Sequence, residues 1–184
     1  VSQAVVNNAG TVKADSITKK GGKIFLTARN GSVNNAGSVS ANSKENIGGD
    51  IQITADEIVV SKEAKISATG ELGGGQILVG GSWQNSDPGV YQATSTKVAE
   101  GSVIDASATL SGDGGEIVIW SKIDDKAAVT HANGSIFAKG GILGGNGGKI
   151  ETSGASLEIK GIVVDAGERA GIGAAGHWLI DPYN

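Results

Sequence analysis

Two short units recur along this chain and interleave, and that pattern limits what it can fold into more than any single motif. One unit is a branched apolar residue, a spacer and an alanine. It stands at Val12-Lys13-Ala14, Val39-Ser40-Ala41, Ile66-Ser67-Ala68, Ile104-Asp105-Ala106, Ile136-Phe137-Ala138 and Val164-Asp165-Ala166, with spacings of 27, 27, 38, 32 and 28 residues. The other is Gly-Gly followed by an alternating run: Gly21-Gly22-Lys23-Ile24-Phe25-Leu26, Gly48-Gly49-Asp50-Ile51-Gln52-Ile53, Gly74-Gly75-Gln76-Ile77-Leu78-Val79, Gly114-Gly115-Glu116-Ile117-Val118-Ile119 and Gly147-Gly148-Lys149-Ile150-Glu151-Thr152. Every Gly-Gly follows an alanine unit. The run Asn7-Asn8-Ala9-Gly10 returns 27 residues later as Asn34-Asn35-Ala36-Gly37.

Alternation with period two buries one face of a strand. A third strand fits between the two units, as Ile58-Val59-Val60 and as Leu157-Glu158-Ile159. One repeat is then three short strands and three corners. Such a unit cannot bury its apolar face alone and must stack on its own copies. Strands that repeat in one direction stack in parallel. The predicted fold is all-β: a right-handed parallel β-helix, or solenoid, of about six turns, its hand following from the usual chirality of crossovers. Gly22, Gly49, Gly75, Gly115 and Gly148 are read as structural corners where positive φ permits tight bends. The two asparagine pairs are expected to form an internal amide ladder. A sandwich requires hairpin turns without in-register repetition, a propeller requires longer blades, and no 3.6-residue periodicity supports helical repeats.

Composition narrows the function classes. The chain has 184 residues with 31 glycines and two prolines, Pro88 and Pro182. Gly lacks a strict three-residue period, which excludes collagen. An apolar content of 39% is too high for a disordered tail. The net charge is −4 without a basic stripe, and Arg29 and Arg169 are the only arginines, so no nucleic-acid partner is expected. No apolar stretch approaches the ~20 residues of a membrane span. The lack of cysteine removes disulfides and thiolate metal sites. The lack of methionine leads us to expect a mature form or an excised piece, and no signal peptide is seen.

Gly171, Gly173 and Gly176 spell G-x-G-x-x-G after Ile162-Val163-Val164. Such a loop binds pyrophosphate when a helix starts at its glycines. Here only eight residues follow Gly176, with Pro182 among them, so the glycines are read as corners. The Gly112–Gly115 segment, GDGG, occurs once, without the nonapeptide period of calcium-binding repeats. His131 and His177 stand in different repeats and are read as surface or corner residues. Asp124-Asp125 is read as a solvated turn. Asn30-Gly31-Ser32 and Asn133-Gly134-Ser135 match the N-glycosylation sequon, yet Asn-Gly is also a turn dipeptide, and the turn is favoured. No catalytic residue, cofactor-binding residue or metal ligand is assigned, and the chain is expected not to be an enzyme.

The repeat breaks once. Between Gly75 and Gly115 lie more residues than a 27-residue period needs, and the surplus falls in residues 81–100, GSWQNSDPGVYQATSTKVAE. An insertion in a solenoid becomes a loop on one face. If Ile24, Ile51, Ile77, Ile117 and Ile150 point inward, then Phe25, Gln52, Leu78, Val118 and Glu151 point outward, together with Trp120. Such an outer apolar surface needs cover. The insertion is therefore expected to pack there, with Trp83 or Tyr91 as anchor. Trp83, Tyr91 and Trp120 are the candidate residues of either an internal lid or a recognition surface.

The order of "GGGQILVGGSWQ", "GSVIDASATLSGDGGEIVIWS", "NGSIFAKGG", "GGKIETSG" and "GHWLIDPYN" resembles the filamentous-haemagglutinin-like large exoproteins and adhesins of bacterial two-partner secretion. In that family a Trp-Leu-(Leu/Ile)-Asp-Pro segment commonly closes a β-helical section, and Trp178-Leu179-Ile180-Asp181-Pro182 matches it. The resemblance implies a single β-helix segment over 1–184, with a closing segment at 176–184, belonging to a larger secreted protein. It implies export through an outer-membrane β-barrel transporter and a place outside the cell or on its surface. A cysteine-free chain suits unfolded passage through a pore. The expected role is a structural stalk or attachment module, with a host glycan or surface protein as possible ligand. Two alternatives remain open: a host-protein or haem-acquisition exoprotein of the same architecture, and a polysaccharide-processing β-helix enzyme.

Overall fold

A computed structural model describes residues 3–182. Within them lie β1 (Val5–Asn8), β2 (Thr11–Lys13), β3 (Lys23–Asn35), β4 (Ser38–Ser40), β5 (Asp50–Val60), β6 (Lys65–Ser67), β7 (Gln76–Val79), β8 (Ser95–Val98), β9 (Val103–Asp105), β10 (Glu116–Trp120), β11 (Val129–Ala132), β12 (Ser135–Phe137), β13 (Lys149–Gly154), β14 (Ser156–Glu158), β15 (Val163–Asp165) and β16 (His177–Pro182). The 3-10 turn Trp83–Asn85 is the one helical element among the described residues.

The strands form three walls. The first holds β7, β10, β13 and β16 with the first halves of β3 and β5. The second holds β1, β8, β11 and β14 with the second halves of β3 and β5. The third is β2-β4-β6-β9-β12-β15. Every strand pairing is parallel and joins copies one repeat apart, which makes the chain a β-helix-like coil. β3 and β5 run through the first corner without a break in strand, so the first two walls are one 10-stranded sheet. The register of β3 on β5 shifts between Ala28 and Ser32, where Asn30 takes a left-handed φ of 54°. Asn30-Gly31 is thus a bend, as read from the sequence.

Repeat periodicity becomes vertical columns inside the coil. Ile24, Ile51, Ile77, Ile117 and Ile150 stack in register, and Trp178 follows in the same column. The third wall stacks Val12, Val39, Ile66, Ile104, Ile136 and Val164. The inner members of these columns are buried in one apolar core. Each fully buried isoleucine contributes about 2 kcal/mol by leaving water. The alanines of the repeat are small because the first wall begins directly beside them.

The corner glycines work differently from the expectation. None of Gly22, Gly49, Gly75, Gly115 and Gly148 has positive φ. They are fixed by close approach. The Gly49 N–H donates to Ala41 O (2.6 Å), Gly115 to Ala106 O (2.7 Å) and Gly148 to Ala138 O (2.7 Å), clasping the end of the third wall to the start of the first. A Cβ on Gly115 would fall on the carbonyl oxygen of Gly75, one coil away; a Cβ on its neighbour Gly114 would strike Ala138 O in the next coil. In the pairs at 48–49, 74–75, 114–115 and 147–148 both glycines are therefore required, one by the coil below and one by the coil above; a Cβ on Gly22, in the first pair, would meet Ala14 of its own coil.

Two further readings are corrected. The amide ladder is only half internal: Asn8 Nδ2 donates to Asn35 Oδ1 (2.8 Å), where Asn35 is buried, whereas Asn34 Nδ2 donates to Asn7 Oδ1 (2.9 Å) with Asn7 exposed. Adjacent residues of a strand face opposite ways, so one pair could not both point inward. The insertion is also narrower than 81–100. Ser95–Val98 is β8, paired in register with β5 and β11, and the chain leaves the stack only over residues 80–94. Of the closing segment 176–184, residues 183 and 184 lie outside the described residues.

Candidate functional site

The region that departs from the repeat is the outer face of the first wall and the loop over residues 80–94. The loop leaves at Gly80, whose φ is 85°, and returns at Ala93, whose N–H donates to Gly80 O (2.8 Å). This bond closes a narrow neck. Departure at Gly80 ends the β7–β10 ladder at Val79 and Ile119. The Trp120 carbonyl beyond it is met by Thr96 Oγ1 at 2.6 Å. That explains the threonine in a column that reads Val6, Val33, Ile58, Thr96, Thr130 and Leu157, where Thr130 Oγ1 likewise donates to a carbonyl, that of Ser153 (2.8 Å). Within the loop, Ser82 Oγ accepts from Asp87 N (3.0 Å) and Asp87 Oδ1 accepts from Gly89 N (2.8 Å), which shapes the Asp-Pro-Gly turn.

The loop covers what the pattern left bare. Leu78, Val118 and Trp120, all outward-facing on the wall, form a second apolar cluster with Val90, joined by Trp83 and Ile123. Phe25, in the same outward column two coils from Leu78, is 62% exposed, whereas Leu78 is 5% and Val118 0% exposed. The cover is confined to the coils beneath the loop.

Each candidate residue now has a place. Trp120 is buried, and its Nε1 donates to Gln92 Oε1 (3.1 Å), so it is part of the covered floor. Trp83 is half-buried at the edge of the cluster, with Lys149 Nζ over its ring at 4.5 Å. Lys149 also pairs with Glu116 at 2.5 Å. Tyr91 lies apart from that cluster. Its hydroxyl donates to Asp56 Oδ1, and Arg29 sits 5.6 Å from its ring centre. Hydrogen bonding to the Asp56 carboxylate, with some burial, raises the Tyr91 phenol above its ordinary value. The apolar anchor beside Trp83 is Val90, which carried no signal in the sequence beyond its place in the insertion.

Glu151 was expected to point outward, and it does, yet it is fully buried beneath the loop. Its carboxylate accepts from Gln84 N (2.8 Å) and from Ser153 Oγ (2.8 Å). Gln84 and Asn85 are consecutive non-glycine residues with left-handed φ of 46° and 52°. The Gln84 amide reaches the carboxylate through that unusual backbone.

The remaining motifs resolve into structure. Gly176 donates to Ala166 O (2.8 Å) and opens β16, so G-x-G-x-x-G leads into a strand. Gly114 and Gly115 belong to the glycine clasp, and no group of three or more His, Asp or Glu able to hold a metal occurs among the described residues. His131 Nδ1 pairs with Glu158 at 3.1 Å on the second wall, while His177 starts β16 beside Lys149. Arg169 donates from Nε to Gly140 O (2.6 Å) and from Nη2 to Ala108 O, tying three coils together. Asp125 caps its own turn by accepting from Ala127 N (3.0 Å). Asn133 Oδ1 is buried without a hydrogen-bond partner, and Asn30 is exposed at its bend. A cavity of about 540 Å³ is an open groove outside the third wall near Asp15 and Asn42. Burial opposes ionisation of Asp15, but the Asn42 N–H and Lys13 outweigh it and hold the carboxyl below its usual value.

No protein-family model matches the chain. No curated protein matches it either. Among solved structures it is similar to the HMW1 secretion domain from Haemophilus influenzae, at 31% identity and a TM-score of 0.76. The match covers 96% of this chain and 45% of that one, so the chain spans less than half of that domain's length. None of the described helices is long and apolar enough to cross a membrane.

Proposed function

We propose that the chain is a section of an exoprotein of bacterial two-partner secretion, related to the adhesins of that system. Its coil is read as a right-handed β-helix of about six turns, following the usual hand of parallel crossovers. The observation that carries the proposal is the likeness to a secretion domain over nearly the whole chain, at 31% identity, on the same repeat that the sequence spells out. Export through an outer-membrane β-barrel transporter and residence outside the cell, or on its surface, follow as part of it. So does a role in display or attachment without catalysis, in which the loops meet a host glycan or surface protein. The physical logic supports export: a coil whose every strand pairs with the one a repeat before it can fold progressively from one end as the chain emerges.

The test is secretion of the protein from a Gram-negative host, with and without a co-expressed outer-membrane transporter of the two-partner type. Accumulation in the medium or on the cell surface only when the transporter is present is the expected result. Retention in the periplasm with a functional transporter present would overturn the proposal. Attachment is tested separately, by binding of the secreted protein to host cells before and after glycan removal.

A further inference from the structure

Glu151 occupies a position that the coil does not require to be acidic. Its column on the outer wall reads Phe25, Gln52, Leu78, Val118, Glu151 and Leu179. The others are apolar or an amide. Glu151 is also the side chain that takes hold of the loop's main chain, through the Gln84 N–H. At the loop's other end the neck is fixed by Ala93 N to Gly80 O, by Thr94 N to Asp56 O (2.9 Å) and by Tyr91 on Asp56. The tip, residues 84–89, is exposed throughout. The loop is therefore hinged at its neck, rests on the apolar cluster through Trp83 and Val90, and is held near its tip by one buried carboxyl.

The charges around that carboxyl favour its neutral form. Both hydrogen-bond donors, Gln84 N–H and Ser153 O–H, are uncharged. On β13 the nearest cation in sequence, Lys149, is committed to Glu116 and to the Trp83 ring. β10 presents Glu116, which stands in register with Lys149. β16 presents His177 in the Lys149 column and Asp181 in the Ser153 column. The loop's own acid, Asp87, is turned onto Gly89 N within its Asp-Pro-Gly turn. Burial pushes the Glu151 carboxyl above its ordinary range, Asp181 and Glu116 push the same way, and the two hydrogen bonds oppose without cancelling. An ionised carboxylate out of water without a cation is costly, whereas the neutral acid accepts from Gln84 through its carbonyl oxygen and keeps Ser153 as a partner.

We propose that Glu151 is a pH-responsive latch for the loop over residues 80–94, which is closed by the neutral acid and loosened by the carboxylate. The direction follows from linkage. A group whose value is raised in the closed state contributes its stabilisation below the ordinary glutamate range and loses it as pH rises through the raised value. Each unit of that rise makes the open-to-closed ratio about 10-fold larger at high pH than at low pH. When open, the loop uncovers Leu78, Val118 and Trp120.

Acrylamide quenching of tryptophan fluorescence on the full chain, between pH 4 and pH 8, tests this. In the native chain quenching rises with pH along a single titration. Glu151→Gln, which mimics the neutral acid, keeps quenching at the native chain's low-pH level at every pH, above which only the loop's opening over Trp120 can raise it. Glu151→Ala, which has no latch, gives high quenching at every pH with the far-ultraviolet β spectrum retained; if that variant does not fold, the glutamine variant alone decides. Quenching in the native chain that is the same at both ends of the range would overturn the latch, as would a Glu151→Gln variant that follows the native titration.

Discussion

The inner and outer faces of the first wall are built by opposite rules. Inside, each column is occupied by near-copies: five isoleucines in register, closed by the same glycine pair in coil after coil. Outside, the covered patch is assembled from singular residues, Trp83, Val90, Trp120 and Glu151, none of which has a counterpart one repeat away. A repeated contact is held in place by its neighbours above and below. A singular contact has only itself. The inner face therefore sets whether the chain folds, and the outer patch sets how a loop sits on a coil already made. Substitutions on the two faces should differ accordingly.

The largest effect is expected at the clasp. Gly115→Val places a branched side chain on the Gly75 and Ala106 carbonyls, where no rotamer avoids backbone. Loss of folding, or destabilisation beyond about 4 kcal/mol, is expected by thermal and denaturant unfolding. Gly10→Ala is the matching control, because nothing lies within 4 Å of a Cβ there. It should stay within about 0.5 kcal/mol. Equal effects at the two positions would show that glycine is needed for chain flexibility alone.

Next comes the floor of the covered patch. Trp120→Ala removes the largest fully buried side chain and leaves Gln92 without its indole partner. A cost of about 3 kcal/mol is expected, at the low end for buried tryptophan because the loop can settle into the space. The variant should still form its coil, with loop 80–94 cut first by a protease. Global unfolding without prior loop cleavage would place the patch among the elements that make the rod.

How much was legible follows the same division. The stacked coil, the inward isoleucines, the sixth alanine unit and the bend at Asn30-Gly31 could be read because each is repeated or is a local backbone preference. Glycine at the clasp was legible as a corner but not for its reason: the approach of Gly115 to Gly75 is between chain segments 40 residues apart, and no local rule reports it. The covered outer face was legible as a need, since Leu78, Val118 and Trp120 had to be hidden. Of the residues that hide them, Trp83 was named as an anchor, whereas Val90 and Glu151 were not. Val90 and Glu151 meet the patch through a single loop conformation with two left-handed residues, and Glu151 reads in sequence as an ordinary solvent-facing position. Tyr91 was grouped with Trp83 because both are aromatics of one insertion, yet the neck and the tip of the loop dock on different places.

Trp83 separates cover from recognition. It is half-buried against the cluster and under Lys149. Trp83→Ala should cost about 1.5 kcal/mol, a fall in Tm of about 4 °C for a chain of this size. An unchanged Tm accompanied by loss of binding to host cells would assign this side chain to ligand recognition.

The smallest effect tests the neck. Tyr91→Phe deletes one hydroxyl and keeps the ring beside Arg29. The hydrogen bond to Asp56 is partly open to water, so a loss of about 1 kcal/mol is expected. The phenol gives an independent reading through its ultraviolet titration. Hydrogen bonding to the Asp56 carboxylate raises its value in the folded chain, so its contribution is complete below the ordinary tyrosine range and is lost as pH rises through the higher, folded value. Asp56→Asn should return the Tyr91 titration toward the ordinary range while leaving Trp120 as shielded from acrylamide as before, because the tip is latched elsewhere. If Asp56→Asn also exposes Trp120, the neck and the tip move as one body, and the loop's hold on the outer face resides at Asp56 as much as at Glu151.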